Sequence, residues 1–280
     1  MSGRTTHGAG TGTGTESGTR AHRSAGTVLK HYVSDNLVMA GRVLRHTTRS
    51  IDTVFTVVLM PILMMLGAVF VLGGAMQTGE ERYVDYILPG VLMIGVMSGI
   101  AYTAYRLNVD VTRGIFERFH SMPVARASVL GGHVLTSLLF NFISSAAILV
   151  VGLLIGFRPQ AGVGQWLLAV LVLFLFTMAL TWMAAFFGLF SKNAETAGIF
   201  VYFLMVLGFV SSGFAPVESM TPALRAFAAG QPMTPILDCL RALLLDKDPG
   251  TALPAAILWC AGIWLLFRLL SVWAYIRRRG

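Results

Sequence analysis

Beyond residue 50 the chain alternates long apolar runs with short polar stretches. Six runs approach the roughly 20 apolar residues that crossing about 30 Å of hydrocarbon requires. They lie at about 52–73, 86–106, 128–156, 164–190, 197–213 and 253–275. The third and fourth are longer than needed, which predicts tilt or projection beyond the bilayer. Residues 28–50 show a different period: Leu29, Val33, Leu37, Ala40 and Leu44 recur every three or four positions, while Lys30, Arg42, Arg45 and Arg49 fall elsewhere on the wheel. That pattern predicts an amphipathic helix lying in a membrane surface. Residues 214–245 are apolar but punctuated by Pro216, Pro222, Pro232 and Pro235. They predict two short helices broken at 230–235, dipping into or resting on the outer leaflet, because non-helical backbone survives at depth only where protein or water covers it. Residues 1–26 are Gly, Thr and Ser with a few charges and are expected to be a disordered tail rather than a signal peptide. The expected fold is an all-α membrane protein in one unit, 27–280, with six transmembrane helices.

Composition strengthens this picture. Of 280 residues 55% are hydrophobic and only 12% charged, with a mean hydropathy of +0.72, against about 25% charged in soluble domains. So few charges cannot coat so large an apolar core with a water-facing shell, which excludes a soluble globular protein. The net charge of +8 then records topology. With the N-terminus inside, 16 of the 21 Lys and Arg fall in internal segments and 5 in external loops, which predicts both termini in the cytoplasm. Two cysteines, Cys239 and Cys260, exclude a disulfide scaffold and offer no CxxC spacing for metal or redox chemistry; they are apolar filler or a single bridge.

Catalysis needs a constellation, and the sequence offers none. The three lysines, Lys30, Lys192 and Lys247, never precede Ser or Thr, so GxxxxGK[ST] is absent, as are HExxH and GxSxG. The six histidines are scattered; His133, one turn into the third span, reads as a polar residue near the interface, with a proton relay as the sharper alternative. Ion-driven carriers usually bury charged groups at mid-membrane, and the mid-spans here are almost free of charge. Arg106 and Asp110 lie at the edge of the second span, and Arg268 is placed to snorkel to the inner surface. Candidate pathway residues are Met64, Met93, Met97, Phe140, Asn141 and Phe142, for which simple core packing is an equal reading. Gly95 with Gly99, and Gly152 with Gly156, give two GxxxG spacings that favour close helix packing and would also suit a dimer.

A membrane pathway without an ion site or a nucleotide site of its own takes its energy from elsewhere. The best point of delivery is 113–123, a charged stretch between two spans. Ile115, Phe116, Phe119 and Met122 form one apolar helical face, Arg113, Glu117, Arg118, His120 and Ser121 offer polar contacts, and Pro123 ends the helix and fixes the angle of the next span. A short helix held between two spans transmits a push.

ERFHSMPVARASVLGGHVL, after the second span, resembles the corresponding stretch in permeases of the type-2 ABC exporters, notably their daunorubicin-resistance drug-efflux branch. Two other stretches are similar to the same branch: 35–76 around the first span, and 211–244 before the last. The resemblance covers nearly everything after residue 30. It implies a bacterial plasma-membrane permease, usually a homodimer, bound to two copies of a separate ATPase that carries the ATP and magnesium. It further implies that 28–50 is the connecting helix, 113–123 the coupling helix seated in an ATPase groove, and 214–245 the outer re-entrant helices. Related permeases move drugs, polyketides, lipids and glycans outward. Thr221-Pro222 stands where the branch often has Pro-Gly, and the Gly/Thr tail has no counterpart in it. The readings from other classes are a gradient-driven carrier or channel, which predicts a buried carboxylate, and an intramembrane enzyme, which lacks its nucleophile.

Overall fold

The computed structural model describes residues 55–74, 82–112 and 126–277. The tail 1–26, the surface helix 28–50 and every residue of the coupling segment from Arg113 to Pro123 lie outside these. Among the described residues the architecture is helical throughout, with no strand. α1 (Met60–Gly67) is flanked by π-helical turns at Phe55–Leu59 and Ala68–Leu72. α2 (Tyr83–Thr112), α3 (Arg126–Ile155) and α4 (Val163–Phe190) follow. α5 (Ala194–Ala197) and α6 (Phe200–Phe209) lead to a hairpin of α7 (Pro222–Gly230) and α8 (Met233–Leu244), and α9 (Ala252–Arg277) closes the order.

Four of these helices, within α2, α3, α4 and α9, are long and apolar enough to cross a membrane. The other two predicted spans, 52–73 and 197–213, appear as shorter apolar helices, Phe55–Val71 and Ala194–Phe209. The first is described only from Phe55 on, and local backbone accounts for the second. The first alternates between π and α hydrogen bonding, and the Val57 carbonyl in its π turn accepts from Ser144 Oγ at 3.0 Å. The second is interrupted at Gly198 and Ile199 and stops at Phe209.

α2 is the axis of the bundle. It is buried on every side from Tyr83 to Ile100, unlike an amphipathic surface helix, because α1, α3, α4, α6 and α8 surround it. The two glycine pairs are used inside the chain. Gly95 receives Ile148 and Gly99 receives Asn141 from α3, while Gly152 on α3 receives Leu88 from α2. A Cβ at Gly95 would stand 2.6 Å from Ile148 Cδ1. At Gly90 a Cβ would lie just as close, 2.6 Å from the Gly213 carbonyl oxygen, so α2 meets the segment after α6 backbone to backbone. Pro89, next to it, cannot donate the hydrogen bond that its position in the helix calls for. At its far end α3 stops at Gly156, whose φ of 117° lets the Phe157 amide turn back to the Gly152 carbonyl at 2.9 Å and places the Phe157 ring in the core.

α8 is amphipathic as its spacing demands: Met233, Ile236, Leu237, Leu240, Leu243 and Leu244 are buried against α2, α4 and α9. α7 is exposed except at Ala228. The break between them falls at Gln231 and Pro232, where Gln231 Nε2 donates to the carbonyls of Leu207 and Val210 that α6 leaves free at its end. Both cysteines are buried free thiols.

Candidate functional site

Polar contacts fasten α2 at three levels. At the hairpin end, Arg241 of α8 lies over the Tyr86 ring, its guanidinium carbon 3.9 Å from the ring centroid. Arg241 Nε donates to the Tyr86 carbonyl at 3.2 Å, Nη1 to Asp238 at 3.0 Å, and Nη2 to the Ser212 carbonyl. Ser212 closes the cluster by accepting from the Tyr86 hydroxyl at 2.8 Å and donating its own hydroxyl to Asp238 at 2.6 Å. Next to this, Asp85 pairs with Arg82 at 3.0 Å and accepts from the Arg158 amide at 3.2 Å.

At mid-helix, Thr103 of α2 donates to Ser137 of α3 at 2.9 Å, and Ser137 lies 3.3 Å from the Thr181 hydroxyl of α4. Asn141 Nδ2 donates to the Ser137 carbonyl at 2.9 Å. Its Oδ1, buried against Gly99, has no hydrogen-bond partner. Such a seam of hydroxyls and one amide joins helices where no water competes.

At the opposite end, Asn108 Nδ2 reaches the carbonyls of Gly188 and Ser191 at 2.9 and 2.8 Å, tying α2 to the last turn of α4. Two residues on, Asp110 Oδ2 stands 3.2 Å from His133 Nε2 of α3. These bonds explain why α2 runs past the predicted limit of 106. Hydropathy falls there, but the polar side chains have partners and the helix has no reason to stop. The Asp110–His133 pair sits astride Thr112 and Arg126, between which the segment 113–125 passes from α2 to α3.

Of the other sequence-predicted residues, Met93, Met97, Phe140 and Asn141 are buried within the bundle, whereas Met64 and Phe142 are half-buried. Met97 packs beside Gly208 of α6, and the Phe142 ring lies 6.2 Å from Phe174 of α4. His133 is the partner of an acid rather than a lone interfacial residue. Arg268 leans back over Trp264, one turn nearer the start of α9, with its guanidinium carbon 5.1 Å from that ring and 5.9 Å from the Trp182 ring, instead of snorkelling toward the C-terminal end. Sequence reasoning missed Asn108 and the Arg241 cluster; the only signal for the latter was the Asp238-x-x-Arg241 spacing on a helix. Burial, then the Asp238 carboxylate, pushes the Cys239 thiol up to about 11. Among the described residues no group of three His, Cys, Asp or Glu side chains is placed to hold a metal ion.

This arrangement is a helix bundle with polar contacts fastening both ends of one buried helix. A family model described as ABC-2 type transporter matches residues 36–245, from ahead of α1 to the end of α8 and through the 113–125 segment. The chain belongs to the ABC-2 type transporter family. As an ABC-2 permease it is a multi-pass membrane subunit, and four of its described helices are long and apolar enough to cross the bilayer. It is similar to the daunorubicin resistance ABC transporter permease of Streptomyces coeruleorubidus, with 31% identity over 189 residues, 67% of each chain. It is also similar to a "Probable doxorubicin resistance ABC transporter permease protein" of Mycobacterium tuberculosis, with 23% identity over 233 residues, 83% of this chain and 84% of the relative.

Proposed function

We propose that this ABC-2 permease is the membrane subunit of an ATP-driven exporter moving an amphipathic drug-like, polyketide or lipid-like compound out of a bacterial cell. Two permease copies work with two copies of a separate ATPase, which holds ATP and magnesium. The observation that carries this reading is the family match across 36–245 together with two relatives named for resistance to amphipathic drugs. The membrane domain spans 27–280 with six crossings and both termini in the cytoplasm, in keeping with the 16-to-5 partition of basic residues.

In this mechanism closure of the ATPase dimer presses on the coupling helix 113–123, and the bundle carries the movement because its roots are braced. Asp110 holds His133 and Asn108 holds the end of α4, so a push is shared among α2, α3 and α4 and not absorbed by fraying. α2 is about 45 Å long and delivers it to the hairpin end, where Arg241 clamps α8 over Tyr86. Helix repacking of this kind switches between discrete packings, since cores are close-packed. The path runs between the permease copies; of its candidate wall residues Met64 and Phe142 are partly exposed, whereas Met93, Met97, Phe140 and Asn141 are buried in the bundle and reach the path only when the helices repack.

The deciding experiment is co-purification with the partner ATPase and measurement of ATPase stimulation in proteoliposomes. Replacing Glu117 and Arg118 with Ala is expected to abolish stimulation while the permease dimer stays assembled. Unchanged stimulation removes the coupling role of 113–123. Transport by the permease alone under a proton or sodium gradient would replace the proposal with a secondary carrier.

A further inference from the structure

Arg268 is the one basic residue of α9 ahead of Arg277, and it is exposed on the bundle surface among exposed apolar neighbours, Leu265, Leu269 and Val272. That surface is apolar enough to lie against lipid. The residue lies about 13 Å along the axis from Arg277, and its side chain leans away from that end, onto the Trp264 and Trp182 rings. An arginine held at membrane depth is costly and needs an acceptor for its donors. Among the described residues no carboxylate pairs with Arg268. The only acids in the four long helices, Asp85 and Asp110, are already committed to Arg82 and His133. The indole Nε1–H groups of Trp182 and Trp264 are likewise buried without acceptors. The α4–α9 seam therefore gathers donors and supplies no oxygen for them, while the two rings hold the guanidinium at a fixed position.

We propose that Arg268 is a binding site for the phosphate of an anionic phospholipid in the leaflet at the C-terminal end of α9. The planar guanidinium matches a phosphodiester through two parallel N–H···O bonds, and it tolerates partial desolvation better than an ammonium does. Local thinning of the bilayer brings the headgroup to this depth. Acyl chains then cover Leu265, Leu269 and Val272, a contact that a soluble phosphate cannot make. Bound there, the lipid bridges α4 and α9, which Ser271 Oγ also ties at this level by donating to the Trp182 carbonyl at 3.2 Å. The inference requires only that α9 sits in a membrane; it stands or falls apart from the direction and cargo of transport.

The test uses the full-length permease in detergent, titrated with phosphatidylglycerol, phosphatidylcholine or inorganic phosphate, and reads lipid retention by native mass spectrometry alongside the thermal midpoint. Phosphatidylglycerol is expected to be retained by the wild type in preference to phosphatidylcholine and to raise its midpoint, with inorganic phosphate leaving the midpoint unchanged. Arg268→Gln should weaken that retention about tenfold, the loss expected of a charged hydrogen-bond partner. Arg268→Lys, a point charge without the fork, should fall between the two. Equal retention by the wild type and Arg268→Gln overturns the site, and so does a midpoint shift reproduced by inorganic phosphate alone. If Arg268→Gln fails to fold, the wild-type comparison decides: equal retention of phosphatidylglycerol and phosphatidylcholine overturns the proposal, and a preference for phosphatidylglycerol that Trp264→Leu reduces supports it.

Discussion

Arg241 and Tyr86 are 155 positions apart, yet the guanidinium of one lies 3.9 Å from the ring centroid of the other and donates to its backbone carbonyl. The contact makes the first turn of α2 and the last turn of α8 a single unit. Asp238 and Ser212 complete it, so charge, ring and carbonyls are satisfied together. In such a network each member is held by several others, and removing one leaves the remaining polar groups short of partners in a partly dry setting. In the proposed cycle, opening at this end requires the unit to separate.

Arg241→Ala is therefore expected to destabilise the permease by about 1–2 kcal/mol, since it removes a charged donor from Asp238 and from the Tyr86 and Ser212 carbonyls, while the half-exposed Asp238 keeps the Ser212 hydroxyl and the Ser212 carbonyl keeps the Tyr86 hydroxyl. Arg241→Lys should recover less than half of that, because an ammonium cannot bond Tyr86, Ser212 and Asp238 in one plane. Thermal melts of the purified variants check both. A melt for Arg241→Ala indistinguishable from the wild type would show that the cluster is ornamental.

The fit between α2 and α3 is testable at Gly99. A Cβ there would overlap Asn141 Oδ1, in a seam where the amide is already held by the Ser137 carbonyl. Gly99→Ala is expected to cost about 1–3 kcal/mol from overpacking. In the double variant with Asn141→Ala the overlap disappears, so the two effects should fall short of their sum by at least about 0.5 kcal/mol. Strict additivity in a denaturation series would mean that the two residues do not meet.

Much of this architecture was legible in the sequence, and the exceptions share a cause. Hydropathy located the long helices because burial in lipid and burial in a core both demand apolar runs. It could not say that α2 is enclosed by protein while α9 is mostly not, since both are apolar enough to span a membrane. The GxxxG spacings gave close packing but not its partner, which turned out to be Ile148 and Asn141 of the same chain. Asn108 and Arg241 stayed invisible because their importance lies in carbonyls contributed by distant helix ends, and a carbonyl leaves no mark in sequence. The Pro-rich stretch at 230–235 did mark the turn between α7 and α8, since proline acts on the local backbone.

Cys239 gives a pH-dependent prediction. Its thiol is pushed up to about 11 by burial and by Asp238, whereas the unfolded chain titrates near 9. The folded state thus favours the neutral thiol: this contribution is fully present below about 9 and is lost as pH rises toward about 11. Alkylation by N-ethylmaleimide at pH 8, mapped by peptide mass spectrometry, should leave Cys239 unmodified in the folded protein and modify it promptly after denaturation in SDS. Rapid modification of folded protein would place the thiol outside the α8 core.

The brace between Asp110 and His133 separates a structural role from a coupling role. Both side chains are partly exposed, so the pair's stability contribution is small, about 0.5 kcal/mol in a double-mutant cycle of Asp110→Asn and His133→Gln. Its proposed service is geometric, since it fixes the spacing of α2 and α3 where the chain between them meets the ATPase. Each single variant should therefore melt within about 2 °C of the wild type, the shift such an energy implies for a chain of this size. Yet each should lose most of the substrate-stimulated ATPase rate, and the double variant should lose no more than either single. That non-additive pattern is what a shared contact produces and what two independent sites do not. Singles that melt normally and stimulate normally would confine the push to 113–123 itself, leaving α2 and α3 to follow it separately.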